Sequence, residues 1–317
     1  MFRYIVKRLL MIFPVILGVT FLIFSIMNLT PGDPAIMILG EGARPEQYEA
    51  LREEMGLNDP FLVRYARYVG DAARGDFGRS YRTNIPVFQE IATRVPYTLN
   101  LAVTSTLIAI VLGLPIGVLS AVRQYTIVDN VTLGASLLLT SMPAFWFAMM
   151  LILLFSLKLR LLPSLGVDSW RHLILPAIAT SAHTMASLLR MTRSTMLEVI
   201  RQDYIRTARA KGAKESRVIF GHALRNALLP VVTIIGVNFG IALGGAIVVE
   251  QVFAIPGLGQ LMINAIRAKD TPMVIAAVLF AAIIASVVNL VVDIVYVYID
   301  PRLKSKYVTR KAKKVTV

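Results

Sequence analysis

The sequence predicts an all-α polytopic membrane protein with six transmembrane helices. The chain has 317 residues, of which 56% are hydrophobic and only 16% are charged, whereas soluble domains carry about 25% charged residues. Its mean hydropathy is +0.67. Six runs without a charged residue cover 9–29, 95–122, 130–157, 172–189, 226–249 and 271–292. Because a helix needs about 20 apolar residues to cross the hydrocarbon core, each run predicts one span.

The distribution of charge predicts the orientation of these spans. With the N-terminus inside, the inner segments (1–8, 123–129, 190–225 and 299–317) hold 20 Lys and Arg against 5 acidic residues. The outer segments hold 13 of each. Cytoplasmic loops of membrane proteins are enriched in Lys and Arg, so we expect both termini to be cytoplasmic. The net charge of +14 then predicts membrane lipid as a partner, and no nucleic acid.

The spans divide the chain into four parts. Residues 1–30 form a cytoplasmic N-terminus and the first helix, which we expect to be retained because its apolar run is too long for a signal peptide. Residues 31–95 form a long external segment, which is near neutral and predicted to fold. Residues 96–302 form a core of five helices with a cytoplasmic loop at 190–229, and residues 303–317 form a basic cytoplasmic tail.

Several kinds of chemistry have no signature in the chain. There is no cysteine, no G-x-x-x-x-G-K-[ST] phosphate loop, no H-E-x-x-H and no G-x-S-x-G. We therefore expect no catalytic residue, no metal site and no cofactor. Among the polar residues within or at the end of the predicted spans, Asn238, Asn289 and Asp293 are candidates for a role in transport. Hydrogen bonding between helices for the asparagines, and ion pairing at a helix end for Asp293, compete with a role in transport.

The inner loop contains a short basic helix. Asp203 is a favourable N-cap and Gly212 a favourable residue just beyond a helix end, so about eight helical residues are predicted between them. Two turns are not stable alone in water, so the adjoining spans or a partner must hold them. A partner that grips this helix and a lipid-facing amphipathic linker are both compatible with its spacing.

A second segment of interest lies on the outer side, between the last two spans. It contains Pro256, Gly257, Leu258 and Gly259. Its length and turn residues are typical of a re-entrant element at an outer mouth or gate. A plain turn between two spans is the alternative.

The inner loop that contains the short basic helix resembles the EAA signature of ABC importer permeases. In that signature Glu-Ala-Ala is followed by three residues and Gly. Here Arg206-Thr207-Ala208 precedes Gly212, and the departures match the dipeptide/oligopeptide/nickel branch, whose form is D-Y-[IV]-R-T-A-R-A-K-G followed by H-A-L-R-N-A and a proline. The resemblance extends over nearly the whole chain. It includes P-G-D-P at 31–34, M-G-L-N-D-P at 55–60, G-D-F-G-R-S at 75–80, F-x-x-P-G-L-G at 253–259 and D-P-R at 300–302.

The resemblance implies a type I ABC importer transmembrane domain of the first permease subunit type, in a bacterial inner membrane. It implies a homologous second permease subunit in a heterodimer, two ABC ATPase subunits that use ATP and Mg²⁺, and an external substrate-binding protein. Di- or oligopeptides, or glutathione-like peptides, are the implied cargo. Nickel chelates or oligosaccharides carried by the same architecture, or an ion-coupled secondary transporter, are the alternatives. The loop residues implied to couple to the ATPase are Asp203, Tyr204, Arg206, Thr207, Ala208, Arg209, Lys211 and Gly212.

Overall fold

A computed structural model describes residues 2–30, 32–40 and 42–299 of the chain. The basic tail at 303–317 and the D-P-R motif at 300–302 lie outside the described residues. Within the described ranges the structure consists of helices joined by turns, with one isolated β-bridge between Arg79 and Pro86.

Twelve α-helices follow one another along these residues. They are α1 (Phe2–Leu29), α2 (Pro34–Leu39), α3 (Pro45–Glu54), α4 (Phe61–Ala73), α5 (Val87–Val122), α6 (Ile127–Ser141), α7 (Ala144–Leu151), α8 (Arg171–Ile200), α9 (Asp203–Ala210), α10 (Leu224–Val252), α11 (Leu258–Arg267) and α12 (Thr271–Ile299). A π-helical segment, Ile152–Lys158, continues α7, and a second, Arg217–Ala223, leads into α10.

Five of these helices are long and apolar enough to cross a membrane: α1, α5, α8, α12 and α10 with its π-helical lead. The third predicted span is instead a bent pair, because α6 and the arm formed by α7 and its continuation meet at 105°. Met142 adopts an extended conformation at the bend, with φ −79° and ψ 127°. Pro143 follows it, and a proline disfavours the helical conformation of the preceding residue. The third span is therefore broken by a bend, and the structure has the predicted six spans when the bent pair counts as one.

Among the helices that extend beyond the charge-free runs that predicted them, α5 and α8 extend furthest. Helix α5 begins at Val87, inside the segment expected to be external, and α8 continues to Ile200, inside the segment expected to be a loop. The charged residues in these extensions include Glu90 on α5, and Arg190 and Arg193 on α8. They lie on exposed faces or form hydrogen bonds, so the helix does not end where the apolar run ends.

The closest helix contact joins α5 to α8. A Cβ atom at Gly113 would lie 2.8 Å from the carbonyl oxygen of Met185, and one at Gly117 would lie 2.7 Å from that of Leu189. Only a hydrogen in place of a side chain allows two helix backbones to approach so closely. This contact packs α5 and α8 directly against each other, backbone to backbone.

The segment predicted to be external contacts the C-terminal half of α1 and the residue that precedes α12. Phe24 on α1 contacts Phe61 and Tyr65 on α4, with ring centroids 5.4 and 5.6 Å apart and edge-to-face geometry. The hydroxyl of Ser80 donates a hydrogen bond to the buried carboxylate of Asp270, which immediately precedes α12. The backbone N–H of Tyr81 donates to the same carboxylate at 3.2 Å. Burial and the nearby Asp270 charge raise the pKa of Tyr81 to about 12.

Candidate functional site

The loop helix α9 has the length that the sequence predicts, displaced by one residue. It covers Asp203–Ala210, and its N-cap is Gln202 rather than Asp203. The predicted N-cap was therefore wrong. Asp203 occupies the first turn instead, where its negative charge still favours the positive end of the helix dipole. Its side chain is almost fully exposed, and its backbone carbonyl accepts a hydrogen bond from the Thr207 hydroxyl at 2.9 Å.

The end of α9 is a Schellman motif, which requires a left-handed residue. Gly212 has φ +77°. Its N–H donates to the carbonyl of Arg209 at 2.9 Å, and the N–H of Ala213 donates to that of Ala208 at 3.2 Å. Open space surrounds the position where a Cβ of Gly212 would lie, since no atom comes within 4 Å of it. Within this chain the glycine serves the backbone conformation, and no neighbouring group requires it.

One buried side chain fixes α9 to the membrane core. Ile205 is fully buried and packs with Val118 of α5, Met196 of α8 and Val218 of the π-helical segment before α10. Burying an isoleucine side chain contributes about 1.5–3 kcal/mol. The Asn226 amide of α10 also donates a hydrogen bond to the Tyr204 hydroxyl at 3.1 Å. Helix α9 therefore packs against α5, α8 and the π-helical start of α10. This packing explains how a helix of two turns stays folded.

The opposite face of α9 is polar and open. The side chain of Arg206 is 75% exposed and lies 3.7 Å from the Asp203 carboxylate. Lys211 is exposed as well. Arg209 differs, because its Nε and Nη2 contact the two oxygens of Glu215 at 3.1 and 2.6 Å. These hydrogen bonds lower the pKa of Glu215 and raise that of Arg209. Of the loop cations Arg206, Arg209 and Lys211, Arg209 is thus the one held by two hydrogen bonds to an acidic side chain of its own chain.

A buried ion pair beneath α9 was missed by the sequence analysis. Arg193 of α8 donates to both oxygens of Asp129 at the start of α6, from Nε at 2.6 Å and Nη2 at 2.8 Å. The Asp129 carboxylate also accepts from the Ser120 hydroxyl at 2.5 Å and the Tyr125 N–H at 2.9 Å, and it is buried. The pair joins the inner ends of α5, α6 and α8. Its only signals in the sequence were an aspartate directly before one apolar run, Asp129, and an arginine four residues after another, Arg193.

The outer segment Pro256–Gly259 is packed around a second buried carboxylate. Glu250 accepts hydrogen bonds from the Thr98 hydroxyl at 2.6 Å and the Gln260 N–H at 3.0 Å. Gly257 is the N-cap of α11, and a Cβ there would collide with the Glu250 carboxyl group. A Cβ at Gly259 would lie 2.6 Å from the Cα of Ile247.

This corner is closed in the structure. Leu258 is buried between α5 and α12, in one cluster with Ile91 and Met273. The N–H of Leu258 donates to the hydroxyl of Thr98 at 2.8 Å. A role for Pro256, Gly257, Leu258 and Gly259 as an outer mouth or gate stays a prediction, and any opening would have to break these contacts.

The three intramembrane polar residues do not form one site. Asn238 is buried, and its side-chain N–H group has no hydrogen-bond partner among the described residues. Asn289 lies on an exposed face of α12. The backbone of Asp293 is helical, but its side chain lies outside what the structure describes.

Comparison with known proteins assigns this arrangement to a family. Residues 113–305 match the model of the binding-protein-dependent transport system inner membrane component, and residues 1–102 match the model of its N-terminal part. The chain belongs to this family. Membership makes it a permease subunit and a multi-pass inner-membrane protein, and it implies substrate-binding and ATPase components as partners.

Full-length relatives and a solved structure agree with that assignment. The chain is 43% identical over 315 residues to the oligopeptide transport system permease protein AppB of Bacillus subtilis (strain 168), covering 96% of this chain and 100% of that one. It is 40% identical over 338 residues to the dipeptide transport system permease protein DppB of Escherichia coli (strain K12), and 40% over 306 residues to the glutathione transport system permease protein GsiC of the same strain, with the same coverage. The fold matches the inward-facing MetNI methionine ABC transporter with a TM-score of 0.55 and 21% identity, over 67% of this chain and 97% of that one.

The Asp129–Arg193 pair predicts a large stability effect. Arg193→Ala leaves the buried carboxylate unpaired, so we expect a loss of about 3–5 kcal/mol in unfolding free energy. The double variant Arg193→Ala/Asp129→Asn should lose less than the sum of the two single variants. Thermal unfolding of the detergent-solubilised transporter measures this, with Arg206→Ala on the exposed face of α9 as the control. Additive losses would show that the two side chains do not interact.

The Glu250 corner predicts that Gly257 cannot carry a side chain. Gly257→Ala forces its Cβ against the Glu250 carboxyl group and should cost about 1–3 kcal/mol. The matched control is Gly70→Ala in α4, where nothing lies within 4 Å of the added Cβ. There alanine should be neutral or slightly stabilising because it favours the helix. Equal melting temperatures for the two variants would contradict the packing described for this corner.

Proposed function

We propose that this chain forms half of the translocation pathway of an ATP-driven importer for short peptides. Its relatives bear the names of dipeptide, oligopeptide and glutathione permeases. In the proposal, a homologous second permease completes a heterodimer, two ABC ATPase subunits consume ATP and Mg²⁺, and an external binding protein delivers the peptide. This chain contributes no nucleotide site and binds no cofactor. Both of its termini lie in the cytoplasm.

The observation that carries the proposal is that α9 has one face buried against the membrane helices and one face that is polar and exposed. Its inner face is fixed by Ile205 to α5, α8 and the start of α10, and its outer face presents Arg206, Thr207 and Lys211 to the surroundings. A helix held in this way transmits a push to three spans at once. Because α5 and α8 are joined at Gly113 and Gly117, they move as one body when an ATPase subunit displaces α9.

The structure adds one span to those that the loop joins directly. The loop is attached to α8 and α10, so displacement of α9 tilts these two spans. The seat of Ile205 against Val118 adds α5 to the moving body. The ATPase would contact Asp203, Tyr204 and Ala208 together with the exposed cations. Gly212, beside open space, would permit close approach of the partner backbone.

ATP-driven uptake tests the proposed function. Proteoliposomes that contain this chain, its second permease, the ATPase subunits and the binding protein should accumulate labelled trialanine when ATP is supplied inside. Uptake should continue after the ion gradient is collapsed and should stop without ATP. Accumulation that depends on the ion gradient would contradict the proposal. So would accumulation by vesicles that contain this chain without its partner subunits. Competition by a nickel chelate or an oligosaccharide, with no competition by peptides, would contradict the assigned cargo.

The left-handed Gly212 allows its two roles to be separated. Asparagine tolerates positive φ, so Gly212→Asn should keep the fold of α9. The added side chain should still obstruct the partner and lower binding-protein-stimulated ATPase activity about tenfold, which corresponds to about 1.4 kcal/mol. Gly75→Asn is the matched control, because Gly75 in the external segment has φ +87° and equally open space. Full ATPase stimulation in Gly212→Asn would show that conformation alone requires this glycine.

A further inference from the structure

Helix α8 carries a polar stripe along one face. With 100° per residue, positions 180, 183, 187, 190 and 194 fall within one sector of the helix. All five are polar: Thr180, His183, Ser187, Arg190 and Ser194. His183 and Ser194 are exposed, and the other three are partly exposed. The buried residues on the rest of the helix surface are small, hydroxyl-bearing or apolar, such as Ala186, Thr192 and Leu189.

This stripe is unlike the surface of a helix that faces lipid. The exposed side chains of α1 are apolar and include Leu10, Phe13 and Leu22, at 61%, 65% and 60% exposure. Lipid cannot hydrogen-bond to hydroxyl, imidazole or guanidinium groups, so such groups in membrane helices face the bundle interior or water. The two helices therefore expose surfaces suited to different surroundings.

The stripe passes a cavity at its outer half. This cavity has a volume of about 230 Å³. Most of its lining is apolar and comes from the α6–α7 bend, α8 and α10, and its polar members are Thr180, His183 and Thr184 of α8. The hydroxyl of Thr180 is buried without a hydrogen-bond partner among the described residues. The structure also gives no hydrogen bond for His183, whereas Arg190, two helical turns further along α8, donates to the carbonyl of Ser136 on α6 at 3.2 Å. Thr180 and His183 are thus polar groups that form no hydrogen bond with any other part of the described chain.

We propose that the α8 stripe lines the aqueous pathway and that Thr180 and His183 contact the peptide main chain as it passes. This rests on the proposed import of peptides. Hydroxyl and imidazole groups both donate and accept hydrogen bonds, so they can satisfy the N–H and C=O groups of any peptide. A contact of this kind holds the main chain without reading its side chains. The positive Arg190 below it attracts the terminal carboxylate.

The absence of cysteine from the chain makes the stripe directly testable. Single variants His183→Cys, Ser187→Cys and Ser194→Cys are assembled with the partner subunits in native membranes. Their reaction with a charged, water-soluble methanethiosulfonate is compared with two control variants. Leu22→Cys lies on the apolar surface of α1, and Ala186→Cys lies on the buried face of α8.

Stripe cysteines should react at least about tenfold faster than either control, because only a thiol in water ionises readily to the reactive thiolate. Rates equal to that of Leu22→Cys would place the stripe against lipid, and rates equal to that of Ala186→Cys would place it under protein. Either result overturns the pathway assignment.

The cargo contact has its own test. Trialanine with the binding protein should slow the labelling of His183→Cys and leave that of Leu22→Cys unchanged. Unchanged labelling in a transporter that imports trialanine contradicts the contact. Failure of the unsubstituted transporter to import trialanine contradicts the proposed function instead, so the two failures are distinguishable.

Discussion

The contact between α5 and α8 is the constraint on which the inner half of the protein depends. Gly113 and Gly117 bring the two backbones so close that any side chain there would collide with a carbonyl oxygen. The surface formed by the two helices seats Ile205, and therefore α9. If the helices stood further apart, that pocket would widen and the two-turn helix would lose the packing that keeps it folded in water. The small residues of a membrane helix thus determine the position of a helix outside the membrane.

Three buried carboxylates hold the ends of the bundle. Asp129 lies at the inner side, where it receives Arg193 across 64 residues of sequence. Glu250 and Asp270 lie on the outer side, where they receive Thr98 and Ser80 across 152 and 190 residues. Each stands at or beside a helix end and accepts hydrogen bonds from backbone N–H groups. Because an unpartnered buried carboxylate is costly, each group fixes the position of the distant segment that satisfies it.

These long-range partners explain which parts of the structure the sequence could predict. The apolar runs predicted the membrane class, and the spacing of Asp203 and Gly212 predicted the short helix and its left-handed end, because both signals are local. The helix boundaries were wrong at Val87 and Ile200, since a helix continues through charged residues that find partners elsewhere. The bend at Pro143 was missed although its signal is local, because an unbroken apolar run hid it. The carboxylate sites could not be predicted, because the residues adjacent to Asp129 and Glu250 in the sequence do not indicate that Arg193 and Thr98 are their partners.

The distribution of satisfied and unsatisfied polar groups separates fixed parts of the molecule from functional ones. At Asp129, Glu250 and Asp270 the acceptors are filled by groups of the same chain, so these places are closed and hold the fold. Along α8 the polar groups at Thr180 and His183 have no partner among the described residues, although an apolar side chain there would suit a lipid-facing helix better. Helix α8 carries both kinds of group. Arg193 forms hydrogen bonds with Asp129, whereas Thr180 and His183, nearer the start of the helix, have no partner among the described residues. Under the proposed function, a helix that is fixed at one end to α9 and carries an open polar stripe along its length would convert a push on α9 into a change at the cargo.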